Sequence, residues 1–194
     1  RRDVTVALSG DGGDELFGGY TRYLLAEEMW RKFDSMPGPL RAFLGSFAGA
    51  LPANKIDRLV GPIKPLIPAH WRHKQFGNKV HKLASICRSN DPEAVYKALI
   101  SMWLIPSQVV IGANDVDMIA ALPRAVADLP SFTERMMLID LLSYLPGDIL
   151  TKVDRASMGE SLEVRVPFLD HRVVEYAWGI PMDLKVRNGE GKWL

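Results

Sequence analysis

The chain has 194 residues, with 24 Lys and Arg against 23 Asp and Glu, a net charge of +1, and 47% apolar residues. This is enough for one globular core, and the near-neutral charge excludes a dedicated nucleic-acid surface. No apolar run approaches the ~20 residues of a membrane span, so no membrane partner is expected.

The first predicted element is a strand over Val4–Leu8. Val4, Val6, Ala7 and Leu8 make a short apolar run of the kind covered on both faces. Ser9 and Gly10 end it, and Asp11-Gly12-Gly13-Asp14-Glu15 follows as an acidic, glycine-rich loop that opens a helix. In open α/β sheets, ligands bind beyond the carboxyl ends of strands, where this loop would sit. Glycines let a bulky ligand approach the main chain, and a carboxylate there can hold a hard cation such as Mg2+. The chemistry suggested is a nucleotide-phosphate and magnesium site; an acidic turn with no ligand fits the same residues. No Gly-Lys-Ser/Thr follows the glycines, and no Asp-x-Asp-x-Asp-Gly run with its distal Glu is present, which excludes a Walker loop and an EF-hand.

Helical patterns dominate thereafter. Thr21–Phe33 sets Leu24, Leu25, Met29 and Trp30 among charges. Leu40, Phe43, Leu44, Phe47, Ala48 and Leu51 recur on one helix face and predict its buried side. Pro52 to Pro68 predicts an irregular stretch, with Pro62, Pro65 and Pro68 limiting helix length. His70, His73 and His81 lie in a basic stretch without an accompanying cysteine or acid, which makes a poor metal-ligand set. Val80, Leu83, Ala84 and Cys87 form another apolar stripe, so Cys87 reads as a small buried hydrophobe rather than a nucleophile. As the single cysteine it cannot form an internal disulfide, which points to a reducing compartment and a cytoplasmic location. Asp91 before Pro92 predicts an N-cap and a first helical turn, opening a helix through about Trp103. Trp71 and Trp103 read as core or groove residues. Ser131 with Glu134 predicts a capping box for a helix carrying Met137, Leu138, Leu141, Leu142 and Leu145.

The second informative segment is Leu145–Asp170. Pro146 is placed to start a helix and Gly159 to end it. On that helix Ile149, Val153 and Ala156 share one face, and Asp148, Lys152 and Arg155 another. Cations on the second face would meet phosphate oxygens if it points at the loop; a solvated face with local ion pairs is the plainer alternative. Glu163 and Arg165 alternate with Leu162, Val164 and Val166, as in an extended segment with one apolar side. Charges interleaved in this way are the pattern of a structural ion-pair network more than of catalysts. Asp170 is placed to N-cap a helix from His171 to Ile180.

Ser9–Tyr20 reads S-G-D-G-G-D-E-L-F-G-G-Y, Lys152–Met158 reads K-V-D-R-A-S-M and Leu162–Asp170 reads L-E-V-R-V-P-F-L-D. In this order the segments resemble the synthetase domain of glutamine-dependent asparagine synthetase, most closely over Val4–Tyr23 and Tyr144–Leu194. The longer helical stretch between them resembles the enlarged versions found in asparagine-synthetase-like proteins, some of them linked to polysaccharide biosynthesis. The resemblance implies a mainly α chain: the helical part of an adenine-nucleotide α-hydrolase-like, PP-loop type α/β domain, with one or a few strands near the N-terminus. It implies ATP-dependent, AMP-forming amide synthesis, with ATP and Mg2+ as cofactors. ATP adenylates the side-chain carboxylate of aspartate and releases pyrophosphate. Ammonia from glutamine, delivered by an N-terminal glutaminase domain, then attacks to give asparagine and AMP.

By the same resemblance, Ser9 and Gly10 match positions that contact ATP, and Asp14 matches an acid on the magnesium and pyrophosphate side. Asp11 matches an acid near the activated substrate and the incoming amine, where related β-lactam synthetases carry tyrosine. Lys152 sits about where a cationic residue lies near the phosphates. Lys192 matches a recurrent lysine to which no role is assigned.

The family's S-G-G-x-D-S loop, its glutaminase domain and a further lysine in an R-x-K-type segment have no counterpart in these residues, and Cys87 cannot replace the glutaminase cysteine. With Arg1-Arg2 in place of an initiator methionine, residues 1–194 are expected to be a fragment of the synthetase domain that does not turn over alone. The sheet neighbours of Val4–Leu8 are expected upstream; pairing with Leu162–Phe168 is the alternative. Exposed apolar surface beside an orphan strand admits a homodimer. Two further readings stay open: the same chemistry on another carboxylate acceptor, and a non-catalytic nucleotide-binding or scaffold homologue.

Overall fold

The computed structural model describes residues 4–60, 76–88, 91–101, 109–112, 126 and 128–194. In chain order the elements are β1 (Val6–Leu8), α1 (Gly13–Phe17), α2 (Thr21–Asp34), α3 (Gly38–Ala50), α4 (Ala53–Val60), α5 (Phe76–Arg88) and α6 (Pro92–Ile100). Then come α7 (Phe132–Leu142), a π-helical turn (Leu145–Ile149), α8 (Leu150–Gly159), β2 (Glu163–Arg165), a 3-10 turn (Pro167–Leu169), α9 (His171–Gly179), α10 (Met182–Lys185), β3 (Val186–Arg187) and β4 (Glu190–Gly191). Helix predominates among the described residues, as the sequence predicts. The chain divides into two compact units, Arg1–Glu27 with Val116–Leu194, and Glu28–Asp115.

In the first unit, β1 pairs in parallel with β2, Val6 opposite Glu163 and Leu8 opposite Arg165. One neighbour of β1 is therefore the Leu162–Phe168 segment, the alternative in the sequence reading. The ladder continues as Glu163 N–H donates to the Thr5 carbonyl and Ser9 N–H to the Arg165 carbonyl. The expectation of a strand covered on both faces is corrected: Val6 is 39% and Leu8 75% exposed. Among the described residues α8 packs against β2, Ala7 is half-buried, and Val6 and Leu8 on the other side of β1 face out.

Ser131 caps α7 as predicted, its hydroxyl accepting from Glu134 N–H. The buried side of α7 is Met136, Met137, Ile139 and Asp140, whereas Leu142 of the predicted stripe is exposed. Each fully buried large apolar side chain contributes on the order of 1.5–3 kcal/mol, so burying Asp140 beside them requires partners. Its Oδ2 accepts from the Arg22 guanidinium at 2.6 Å and the Tyr23 hydroxyl at 2.7 Å. Arg22 in turn lies over the Tyr20 ring at 3.9 Å and the Tyr144 ring at 4.6 Å. The predicted helix from Pro146 to Gly159 begins as a π-helical turn, in which the Thr151 hydroxyl donates to the Pro146 carbonyl at 2.9 Å. Asp170 caps α9 as predicted, accepting from Arg172 N–H at 2.9 Å.

In the second unit, α3 and α4 pack on α5, and α5 on α6. Cys87 is buried as predicted, and burial pushes its thiol pKa up. Asp91 caps α6 from Glu93 N–H, with Pro92 in the first turn. Residues 53–60 of the predicted irregular stretch are helical, anchored where Asp57 accepts from Gly77 N–H at 2.8 Å. His81 bonds to the Leu51 carbonyl at 2.7 Å. Trp71, Trp103, His70 and His73 lie outside the described residues. The face predicted to bury α3 is turned outward: Phe43 and Phe47, stacked on each other, are 65% and 63% exposed. Arg41 and Gly45, one turn apart, take the buried side.

Candidate active site

The loop after β1 is held by the second motif. Gly12 has φ 84°, a left-handed conformation that favours glycine. A methyl group there would lie 3.3 Å from Leu169 Cδ2, and one on Gly13 would lie 3.3 Å from Phe168 Cε2. Phe168 also meets Phe17 edge to face at 5.8 Å. The Pro167–Leu169 turn therefore packs under the glycines, and the two sequence motifs form one structural unit.

Ser9 Oγ donates to Asp11 Oδ2 at 2.6 Å, which fixes the Asp11 carboxylate beside the end of β1. Gly10 is exposed, and a side chain there would meet nothing within 4 Å, so its main chain is open to a ligand. Asp14 stands in the first turn of α1 with its carboxylate half-buried, paired with Lys192 Nζ at 2.9 Å. The next residue, Glu15, is buried and accepts from the Tyr20 hydroxyl at 2.8 Å. Burial pushes the Glu15 carboxyl above its ordinary range, against the lowering effect of Tyr20. Burial and the Glu15 contact push the Tyr20 phenol up as well.

Lys152 has its ion-pair partner in its own segment. Its ammonium pairs with Asp148 one turn back, at 2.7 Å, on an exposed face of α8. The Asp148 hydrogen bond raises its pKa. Ser9, Gly10, Asp11 and Asp14 are thus contiguous, while Lys152 is paired with Asp148 of the preceding π-helical turn. Glu163 and Arg165 bond to each other at 2.6 Å on the surface, the ion-pair arrangement their alternation suggested.

The sequence reading gave Lys192 no place in the site. Strands β3 and β4 form a hairpin, Val186 opposite Gly191, closed by Asn188 and Gly189 at φ 53° and 80°. Two left-handed residues in a two-residue turn are the type I′ geometry that Asn-Gly favours. That dipeptide was the available signal. The hairpin ends by returning Lys192 to α1, where its N–H donates to the Phe17 carbonyl at 3.0 Å. At its root Lys185 is fully buried, with Nζ 5.3 Å from the Trp178 ring centre, and burial pushes its pKa down.

A separate open groove of about 560 Å³, lined by Pro167, Asp170, Arg172, Val173 and Tyr176, contains none of the Ser9–Asp14 residues. Arg172 holds the Asp170 carboxyl far below the usual carboxylate range. Among the described residues, no group of three or more His, Cys, Asp or Glu is arranged as a metal cage. No helix among them is long and apolar enough to cross a membrane.

The acidic glycine loop follows the carboxyl end of a strand paired in parallel, which is where open α/β sheets bind ligands. Comparison with known sequences is more specific. The family model for asparagine synthase matches residues 1–194, and the chain belongs to that family. It is 30% identical over 199 residues to glutamine-hydrolysing asparagine synthetase 1 of Bacillus subtilis, covering 100% of this chain and 28% of that protein. It is 32% identical over 196 residues to a putative glutamine-hydrolysing asparagine synthetase of Mycobacterium tuberculosis, covering 100% of this chain and 26% of that protein. A shorter match, to asparagine synthetase 3 of B. subtilis, is 56% identical over 60 residues, covering 31% of this chain and 10% of that protein. The chain thus spans little more than a quarter of the length of the first two relatives. No solved structure matches it.

Proposed function

We propose that residues 1–194 are the helical part of the synthetase domain of an ATP-dependent, AMP-forming amide synthetase whose acceptor is the aspartate side chain. The observation that carries the reading is the Ser9–Asp14 loop, braced by Phe168 and Leu169 and flanked by Asp11 and the Asp14–Lys192 pair. The exposed Val6 and Leu8 side of β1 supports a larger α/β domain, because parallel strands are otherwise covered on both faces. By this reading the S-G-G-x-D-S loop and the glutaminase domain are supplied by other parts of the full-length protein, and the fragment does not turn over alone.

A carboxylate oxygen of the acceptor attacks the α-phosphorus of ATP, and the bond to pyrophosphate breaks. Ammonia then attacks the acyl carbon, AMP leaves, and one proton is lost from nitrogen. The exposed Gly10 main chain and the Ser9 hydroxyl face the nucleotide. Asp11, oriented by Ser9, takes the proton from the incoming amine. Asp14 offers the oxygen donor that suits Mg2+, and the bound ion would neutralise phosphate charge. Lys152 reaches the phosphates only by leaving Asp148, at little cost for an exposed pair.

The test uses the full-length parent with ATP, Mg2+, glutamine and aspartate, following pyrophosphate and asparagine together. Both products are expected. Pyrophosphate released only with another carboxylate would replace the acceptor and keep the chemistry; none with any carboxylate would overturn the reading in favour of a non-catalytic homologue.

A further inference from the structure

We infer that Gly19 and Gly191 are positioning residues which seat the C-terminal hairpin against α1 and thereby hold Lys192 on Asp14. The inference rests on the proposed function for its meaning, but its geometry is independent of it. Helix α1 ends at Gly18, in the left-handed region at φ 64°, whose N–H and that of Gly19 both return to the Asp14 carbonyl. The hairpin lies directly on this turn. A methyl on Gly191 would collide with the Gly18 carbonyl oxygen and carbon, which are backbone atoms and cannot rotate away. A methyl on Gly19 would collide with Asp14 Oδ1 and lie 2.5 Å from Lys192 Cε, inside the ion pair itself. A methyl on Gly18 would lie 2.7 Å from Val186 Cγ2 of β3.

Gly191 thus faces the backbone of Gly18, while Gly18 and Gly19 face the side chains of Val186, Asp14 and Lys192. Beside them, Lys192 N–H donates to the Phe17 carbonyl, and Lys192 itself is held at φ 55°, a conformation non-glycine residues rarely adopt. The backbone bond and the uncommon φ together aim the lysine stem at Asp14. Without the seat, a side chain that is 48% exposed would sample many rotamers and spend little time at the acid. Neither glycine touches the nucleotide in this reading; Gly191 acts through Lys192, and Gly19 through both members of the Asp14–Lys192 pair.

The experiment measures Mg·ATP affinity of the full-length protein by calorimetry for Gly191→Ala, Lys192→Met and the double variant, with thermal melting to monitor folding. Lys192→Met is expected to change binding about tenfold or more, the scale of the charge-assisted contact it makes with Asp14. Gly191→Ala should change it in the same direction and by a similar factor, and the double variant should go no further than Lys192→Met alone, because residues acting through one contact are non-additive. Gly191→Ala leaving affinity unchanged, or multiplying the effect of Lys192→Met, would overturn the inference. If Gly191→Ala does not fold, Gly19→Ala is read in the same way. If the unaltered protein binds no Mg·ATP, it is the proposed function that fails. The seat is then decided by hydrogen exchange at the Lys192 amide: protection in the unaltered protein and its loss in Gly19→Ala support it, and an unprotected amide overturns it.

Discussion

The unit built from both ends of the chain and the helical unit between them solve the burial problem differently. The first buries polar groups with partners from distant sequence: Arg22 and Tyr23 on Asp140, and the Thr133 hydroxyl on Glu27 at 2.9 Å. The second is stitched by shorter-range bonds, such as His81 to Leu51, and leaves the aromatic face of α3 in solvent. In the first unit these contacts join segments more than a hundred residues apart, and they matter because a half-satisfied buried network costs more than an apolar one.

The largest effect should separate the units by activity. In the full-length protein, Asp14→Asn is expected to lower pyrophosphate release by about 10²-fold, the scale of losing one preorganised charge contact. Phe47→Ser in the helical unit should leave the rate unchanged; an equal loss from both would break the contrast. Next in size, Asp140→Ala removes the shared acceptor of Arg22 and Tyr23 and should cost about 3–5 kcal/mol in urea unfolding, as for other broken buried ion pairs. A cost as small as that of a surface substitution would show the network to be incidental.

A pH series sharpens the same point. The Glu15 carboxyl binds its proton more tightly folded than unfolded, because burial raises its pKa above 4.5. Its contribution is therefore greatest at acid pH and declines as pH rises through that raised value. Glu15→Gln should remove this decline, seen as a flatter dependence of unfolding free energy on pH above 4.5; an unchanged slope would exclude Glu15 as its source. In the helical unit the expected changes are smaller. Asp91→Ala should cost about 1 kcal/mol by loss of the α6 cap, measured by chemical denaturation. Phe47→Ser, on the exposed face of α3, should stay within about 0.5 kcal/mol.

The sequence made visible what local chemistry determines. The caps at Asp91, Ser131 and Asp170 hold because a side chain two or three residues from its N–H needs no tertiary information. The Ser9–Asp14 loop was legible as a turn because Ser9 and Gly10 end the apolar run and Gly12 takes the left-handed φ that favours glycine. Burial was harder to read. The stripe of α3 correctly predicted a helix but not its buried side, since Arg41 and Gly45 are inward and the period alone does not say which face meets a neighbour. The partner of β1 and the place of Lys192 were hidden for a related reason: both depend on segments distant in sequence. Lys192 had a local herald in Asn188-Gly189, but a hairpin signal does not reveal where the hairpin docks.

The parallel register of β1 and β2 has a consequence for synthesis. During translation the loop that carries Asp11 and Asp14 leaves the ribosome first, whereas its brace at Phe168 and its counter-ion Lys192 emerge only after nearly the whole segment has been made. Closing so long a loop carries an entropic cost that no local contact offsets in advance. The acidic loop therefore waits, unbraced, while the intervening helices are threaded out, and a nascent chain halted before Glu163 should leave the Gly12–Gly13 backbone open to protease.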